Sequence, residues 1–271
     1  MHLRGKGCRP CGFTRADLLA LTTALFVLGL FLTPGYGQSL RNGQLATCMN
    51  NLRQLTQAWQ LFAEANDGAL PRNLSRTEYQ GLEATVWARG WLSWQIESEN
   101  TNTTLLTGAA LGPYIDRNPR VFKCPSDVYL SQLQRTRYTE RARSYSMNGF
   151  VGRSRAEYFI DPNQQYHAKV QDIRPVSPDK LFVFIEEHPD SINDPVFWLD
   201  PTAPRAVDLP AGYHLHGSAV AFADGHVEHK IWEQPETVPP MNIGVYNPQS
   251  PRAPYTDYNW LKSRATARWP Q

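Results

Sequence analysis

Tyr213-His214-Leu215-His216-Gly217-Ser218-Ala219-Val220-Ala221-Phe222-Ala223-Asp224-Gly225-His226-Val227 is the stretch that decides the fold. Asp-Gly between two alternating apolar runs is a strong hairpin signal, because both central residues of a type I′ turn take positive φ. With Asp224-Gly225 as that turn, Ala223 faces His226, Phe222 faces Val227, Val220 faces His229 and Ser218 faces Ile231. Val220, Phe222, Val227 and Ile231 then share one face, which makes a coherent core side. The same register divides the histidines: His214 and His216 share the parity of Phe222, and His226 points the other way beside Glu228. A metal site built from His214, His216, Asp224 and His226 is thereby split over two faces. No H-E-x-x-H-like spacing supplies the three converging ligands of a zinc hydrolase. His214 reads as a partly buried histidine that bonds a neighbouring loop and fixes the hairpin. No catalytic residue, metal ligand or cofactor is assigned.

Upstream, Leu181-Phe182-Val183-Phe184-Ile185 is a β-rich apolar run fit for a buried strand. Residues 186–194 follow it as an oxygen-rich loop; such oxygens suit calcium, although a solvated loop is the commoner origin of the pattern. Further back, Leu45, Cys48, Leu52, Leu55, Trp59 and Phe62 recur at spacings of three and four, one apolar stripe along a helix of about six turns. Asn66-Asp67-Gly68 should end that helix, with Gly68 in the left-handed position. The 21 prolines, 18 glycines and 8 tryptophans indicate a loop-rich, partly β domain without further long helices. Trp87, Trp91 and Trp94 offer an aromatic patch, either exposed for a partner or a sugar or half-buried in packing. From Glu233 to Gln271, seven prolines suggest an extended arm with Trp260 and Trp269 docked on the domain. A net charge of +2 argues against nucleic acid as a partner.

The N-terminus sets the expected compartment. Arg4, Lys6 and Arg9 stand without an acid before Leu18–Leu32, fifteen residues whose only polar side chains are Thr22 and Thr23. That length lies between a signal-peptide core and a full membrane span. The basic residues ahead of it place the N-terminus in the cytoplasm and the rest across the membrane. Pro34-Gly35-Tyr36-Gly37 should kink or break the helix beyond it. Gly35-Tyr36-Gly37 before Gln38 would also serve an ordinary signal peptidase.

Gly12-Phe13-Thr14-Arg15-Ala16-Asp17-Leu18-Leu19 resembles the prepilin cleavage motif of type IV pilin-like proteins. That resemblance implies cleavage after Gly12, N-methylation of Phe13, and a carboxylate at the fifth mature position, here Asp17 where the family has glutamate. In such assemblies the carboxylate is thought to meet the first residue's free amine in a neighbouring subunit, since an acid on an apolar helix needs a partner. A helix-start acid favoured by the dipole is the plainer account of Asp17. The segment from Cys48 to Pro71, Phe122-Lys123-Cys124-Pro125-Ser126-Asp127, Ser144-Tyr145-Ser146-Met147-Asn148-Gly149, and His214 followed after nine residues by Asp224-Gly225 are similar to the subgroup named for a C-terminal H-x9-D-G motif.

Cys8 and Cys11 fall in the leader that cleavage would remove, which leaves Cys48 and Cys124 as a pair. In an oxidising compartment they form a structural disulfide tying the helix to the β domain, worth roughly 4 kcal/mol in the chain-entropy account; two buried thiols are the alternative. The expected architecture is α+β: leader 1–12, membrane-spanning and kinked helix 13–67, small antiparallel sheet domain with long loops 68–232, and Pro-rich arm 233–271. The resemblance implies a non-enzymatic pseudopilin, single-pass in a bacterial inner membrane. Prepilin peptidase and other pilin-like subunits are its partners, in a type II secretion or type IV pilus-like system. An exported glycan-binding module and a metal-dependent hydrolase are the alternatives from other classes.

Overall fold

A computed structural model describes residues 14–153, 163–174, 176–199, 207–243 and 255–267, with the side chains of 28–38 and of Tyr255 left out. The chain divides into two units, Met1–Gly43 and Gln44–Gln271. Helix α1 (Arg15–Ala65) belongs to both, and the chain stays helical through Pro34–Gly37 instead of ending there.

In the first unit, Thr14 caps α1. Its backbone N–H and its hydroxyl donate to Asp17 Oδ2 at 2.9 and 2.7 Å, and Asp17 N–H donates back to Thr14 Oγ1 at 3.2 Å. This reciprocal capping box satisfies donors that a helix start leaves open. The Thr14 hydroxyl and backbone bonds hold the Asp17 carboxyl below its ordinary range. Leu18, Leu19, Leu21, Leu25, Phe26 and Val27 are exposed along the following turns.

Among the described residues no helix is long and apolar enough to cross a membrane. The membrane-spanning helix and the single-pass inner-membrane placement are therefore corrected. Length is the physical reason: the fifteen residues Leu18–Leu32 reach about 22 Å at 1.5 Å each, short of the ~30 Å hydrocarbon layer.

The second unit is built on a five-stranded sheet in the order β3-β1-β2-β4-β5, with β1 Tyr145–Asn148, β2 Phe182–Glu186, β3 Val196–Phe197, β4 Gly217–Phe222 and β5 Val227–Ile231. β2 forms where the apolar run placed it and is buried throughout. The sheet is mixed, not antiparallel as expected, because β3 runs parallel to β1. One face packs on the stripe of α1: Cys48, Leu52, Leu55 and Trp59 join Tyr145, Met147, Phe184, Ala219, Ala221 and Val227 in one core. Each such large apolar side chain contributes about 1.5–3 kcal/mol on burial. The other face, with Phe182, Ile185, Val220 and Phe222, packs on Tyr258 and Leu261 of α3 (Tyr255–Ala265). Part of the Pro-rich arm is thus a helix, a second departure from expectation. Trp260 docks there edge-on against Trp232 and Phe222, while Trp269 lies outside the described residues.

α1 ends as its sequence indicated. Asp67 and Gly68 take φ of 54° and 78°, and Gly68 N–H returns to Ala63 O at 2.9 Å. The hairpin register differs by one residue from the expected pairing: Gly217 faces Ile231, Ala219 faces His229 and Ala221 faces Val227. Asp224 and Gly225 do not form a two-residue turn. Phe222 pairs with His226 around three residues, and only Gly225 has positive φ, at 98°. That is the three-residue loop with a left-handed glycine, the next commonest hairpin closure. Because side chains alternate, the slip moves every partner by one face: Val220 and Phe222 point toward α3, and Val227 toward α1.

Candidate functional site

The left-handed pair expected at Asp224-Gly225 occurs at the other end of β4. Leu215 and His216 have φ of 53° and 63°, and His214 and Gly217 exchange backbone hydrogen bonds at 3.2 and 3.0 Å. The nine residues between His214 and Asp224 are thus two turn residues, the strand β4 and Ala223, so the motif measures one strand bracketed by two turns. Gly217 is required at the first turn: an added Cβ would lie 2.5 Å from His229 Nε2 and 2.6 Å from Lys230 O. His229 in turn bonds the His214 carbonyl at 2.8 Å. At the second turn, Gln60 of α1 donates to Ala223 O at 3.0 Å.

The first turn buries the His214 ring between the sheet and α1. There its Nε2 lies 3.2 Å from Glu186 Oε1 and 3.4 Å from Cys124 Sγ. Cys48 Sγ approaches the same Glu186 oxygen at 2.6 Å and the Tyr145 hydroxyl at 3.1 Å. The second carboxylate oxygen, Oε2, accepts the Ala219 N–H at 2.6 Å. One ligand atom each from Cys48, Cys124, Glu186 and His214 lies within 4.8 Å of the others, and all four residues are buried. Burial pushes the Cys48 thiol well above its ordinary range, with Cys124 and the Glu186 charge adding to it. Burial pulls the His214 imidazole down, but the bonds to Cys124 and Glu186 and the Glu186 charge outweigh it and hold it up to about 10.

Three residues singled out in the sequence therefore meet at one place. Cys48 and Cys124 meet there as free thiols, not as the expected disulfide. Glu186 is the member that sequence reasoning missed, counted there in an oxygen-rich loop and found at the end of β2. Asp224 and His226 pair with each other at the exposed hairpin tip, at 2.6 Å. They do not join His214, so the histidine-rich hydrolase centre is not assembled. Asp17 lies at the start of α1, while Gly12 and Phe13 fall outside the described residues.

The acids of the 186–194 loop face protein donors. Ser146 and Ser191 donate to Glu187, and Asn242 N–H reaches Asp190. Of the aromatic patch, Trp87 and Trp94 are buried and Trp91 is half-buried; Trp87 Nε1 donates to Asn73 at 3.0 Å, and the Arg141 guanidinium stacks 4.5 Å over Trp94. No family model, curated protein or solved structure matches the chain.

Proposed function

We propose that the chain is a pilin-like structural subunit, processed after Gly12 by a prepilin peptidase. In this reading it assembles with like subunits in a type II secretion or type IV pilus-like system, with no catalytic role. The observation that carries the proposal is the start of α1. Leu18, Leu19, Leu25 and Phe26 are 60, 67, 59 and 69% exposed on a regular helix, and contiguous apolar surface of that kind marks an association site. Copies of the same helix, packed side by side, would cover it. The cleavage-like stretch Gly12–Leu19 stands directly before this ridge. The reading rests on helix-to-helix assembly and includes no membrane-crossing span.

Within an assembly, Asp17 would exchange its bond to the Thr14 N–H for one to a neighbour's terminal amine. Aspartate has one methylene less than glutamate, so that contact needs a close approach. Mass spectrometry of the mature protein tests the proposal. An N-terminus at N-methyl-Phe13, with assemblies lost in Leu19→Gln/Phe26→Gln, is expected; a mature chain starting at Gln38 defeats it.

A further inference from the structure

We infer that Cys48, Cys124, Glu186 and His214 form a structural zinc site that fastens α1 to the sheet. The donor set is two thiols, one imidazole and one carboxylate, a combination that selects tetrahedral zinc among common divalent ions. The four come from separate segments: the stripe of α1, the chain following the turn at Pro119–Phe122, the end of β2, and the turn before β4. That convergence is what a cross-linking metal requires.

Distances fit the ion. Bonds of about 2.0 Å to nitrogen and oxygen and about 2.3 Å to sulfur put the edges of a tetrahedron at roughly 3.3–3.8 Å. His214 Nε2 to Glu186 Oε1, at 3.2 Å, and His214 Nε2 to Cys124 Sγ, at 3.4 Å, have that length already. The Cys48–Glu186 edge, at 2.6 Å, would open by about 1 Å as the ion enters. On binding, the two thiols and the imidazolium release their protons to solvent and Sγ, Sγ, Nε2 and Oε1 become the ligands.

The surroundings suit the same assignment. The Ala219 N–H occupies Glu186 Oε2, which leaves Oε1 as a single-oxygen ligand. Tyr145 O–H stands 3.1 Å from Cys48 Sγ, where it would donate to the thiolate. Such outer partners orient ligands and tune affinity. Four protein ligands in a buried setting close the coordination sphere, so the site is structural and not hydrolytic. The turn explains its own strain: Leu215 and His216 accept the left-handed region so that His214 reaches the other three.

The test uses the full chain carrying Cys8→Ser/Cys11→Ser, so that Cys48 and Cys124 are its only cysteines, purified under reducing conditions, with zinc and cobalt as probes. About one zinc per chain should survive dialysis, as measured by elemental mass spectrometry. Cobalt substitution should give the visible bands of a tetrahedral ion and a near-ultraviolet thiolate-to-cobalt band. Cys48→Ser/Cys124→Ser should lose the thiolate band, and Tyr145→Phe should weaken zinc affinity about tenfold. His226→Ala, at the hairpin tip, should leave both signals unchanged. Because the Cys48→Ser/Cys124→Ser variant tests folding as well as binding, the chain that keeps Cys48 and Cys124 carries a second measurement. Both thiols should resist a thiol reagent until a chelator removes zinc. A reduced, folded chain that takes up neither ion overturns the site, as does metal uptake that Cys48→Ser/Cys124→Ser leaves intact. None of these readouts depends on filament assembly, so failure here and failure of the pilin-like reading are separately visible.

Discussion

Glu186 and Glu187 are sequence neighbours at the end of one strand, both fully buried, and they occupy opposite environments. Glu186 faces α1 and meets groups distant in the chain: Cys48, His214 and the Ala219 N–H. Glu187 faces the other way, toward hydroxyls from Ser146 and Ser191. Arg143 lies close enough to act on its charge while bonding Ser146 and the carbonyls of Tyr145, Asn193 and Asp194. Burial pushes the Glu187 carboxyl up to about 8, with the Ser146 bond and the Arg143 charge acting against it. The protein thus keeps Glu187 largely as a neutral acid at neutral pH, whereas Glu186 sits against a histidine held protonated up to about 10. Facing opposite sides of the chain, the two carboxyls meet different partners: Glu186 the Cys48 thiol and an imidazole beside Cys124, Glu187 two hydroxyls.

The sharpest way to break the comparison is the same conservative substitution at both positions. Glu186→Gln removes the negative charge facing His214 and the thiols, and leaves a buried cation or metal without its partner. Losing one member of a buried pair costs about 3–5 kcal/mol. Glu187→Gln replaces a group already neutral in the folded state with one of similar shape and spares the wild type's cost of keeping that proton at pH 7, so it should be neutral or stabilising. Urea denaturation of both variants at pH 7 measures the difference. Equal losses would mean that the two carboxyls do the same work.

A smaller effect isolates the turn that brings His214 to Glu186. In Gly217→Ala the new Cβ would meet Lys230 O at 2.6 Å and His229 Nε2 at 2.5 Å, so the backbone must shift. Overpacking of this kind costs about 1–3 kcal/mol. The shift should disturb the His214 ring resonance in NMR spectra and leave the Glu187 side, with Ser191, in place. An unperturbed His214 signal would separate the turn from the site.

How much of this was legible follows from the range of each signal. The stripe from Cys48 to Trp59, the end at Asp67-Gly68 and the strand at Phe182–Ile185 were readable because periodicity and turn residues act within a few positions. The hairpin was readable as a hairpin and misjudged by one residue, since Asp-Gly serves both a two-residue turn and the last two places of a three-residue loop. That single slip sent Val220 and Phe222 to the wrong core. The true type I′ turn uses Leu215 and His216, of which only the histidine belongs to the residues enriched in the left-handed region, so no Asn-Gly- or Asp-Gly-like pair marked it. The site lay further out of reach. Cys48, Cys124 and His214 were each visible, but their meeting at Glu186 depends on the order of strands and on where α1 crosses the sheet. The apolar run Leu18–Leu32 was legible as apolar, but its length, between a signal-peptide core and a full span, left the membrane question open.

The last distinction between the two acids is a pH profile. A carboxyl raised to about 8 binds its proton more tightly in the folded state than in the unfolded chain, where it titrates near 4.5. Its contribution is therefore fullest below pH 4.5 and is lost as pH climbs through about 8. Burial also raises Asp208 well above its ordinary range, so it acts in the same sense. Wild type and Glu187→Gln should accordingly agree within about 0.5 kcal/mol near pH 4, where Glu187 is neutral in the folded and the unfolded chain alike. Between about pH 4.5 and 8 the unfolded chain ionises this carboxyl while the folded protein keeps its proton, so wild type loses ground steadily and by pH 9 the glutamine variant should be the more stable. Denaturation midpoints at the two pH values read the crossing directly. Parallel profiles would place the titrating group elsewhere and return Glu187 to the same footing as Glu186.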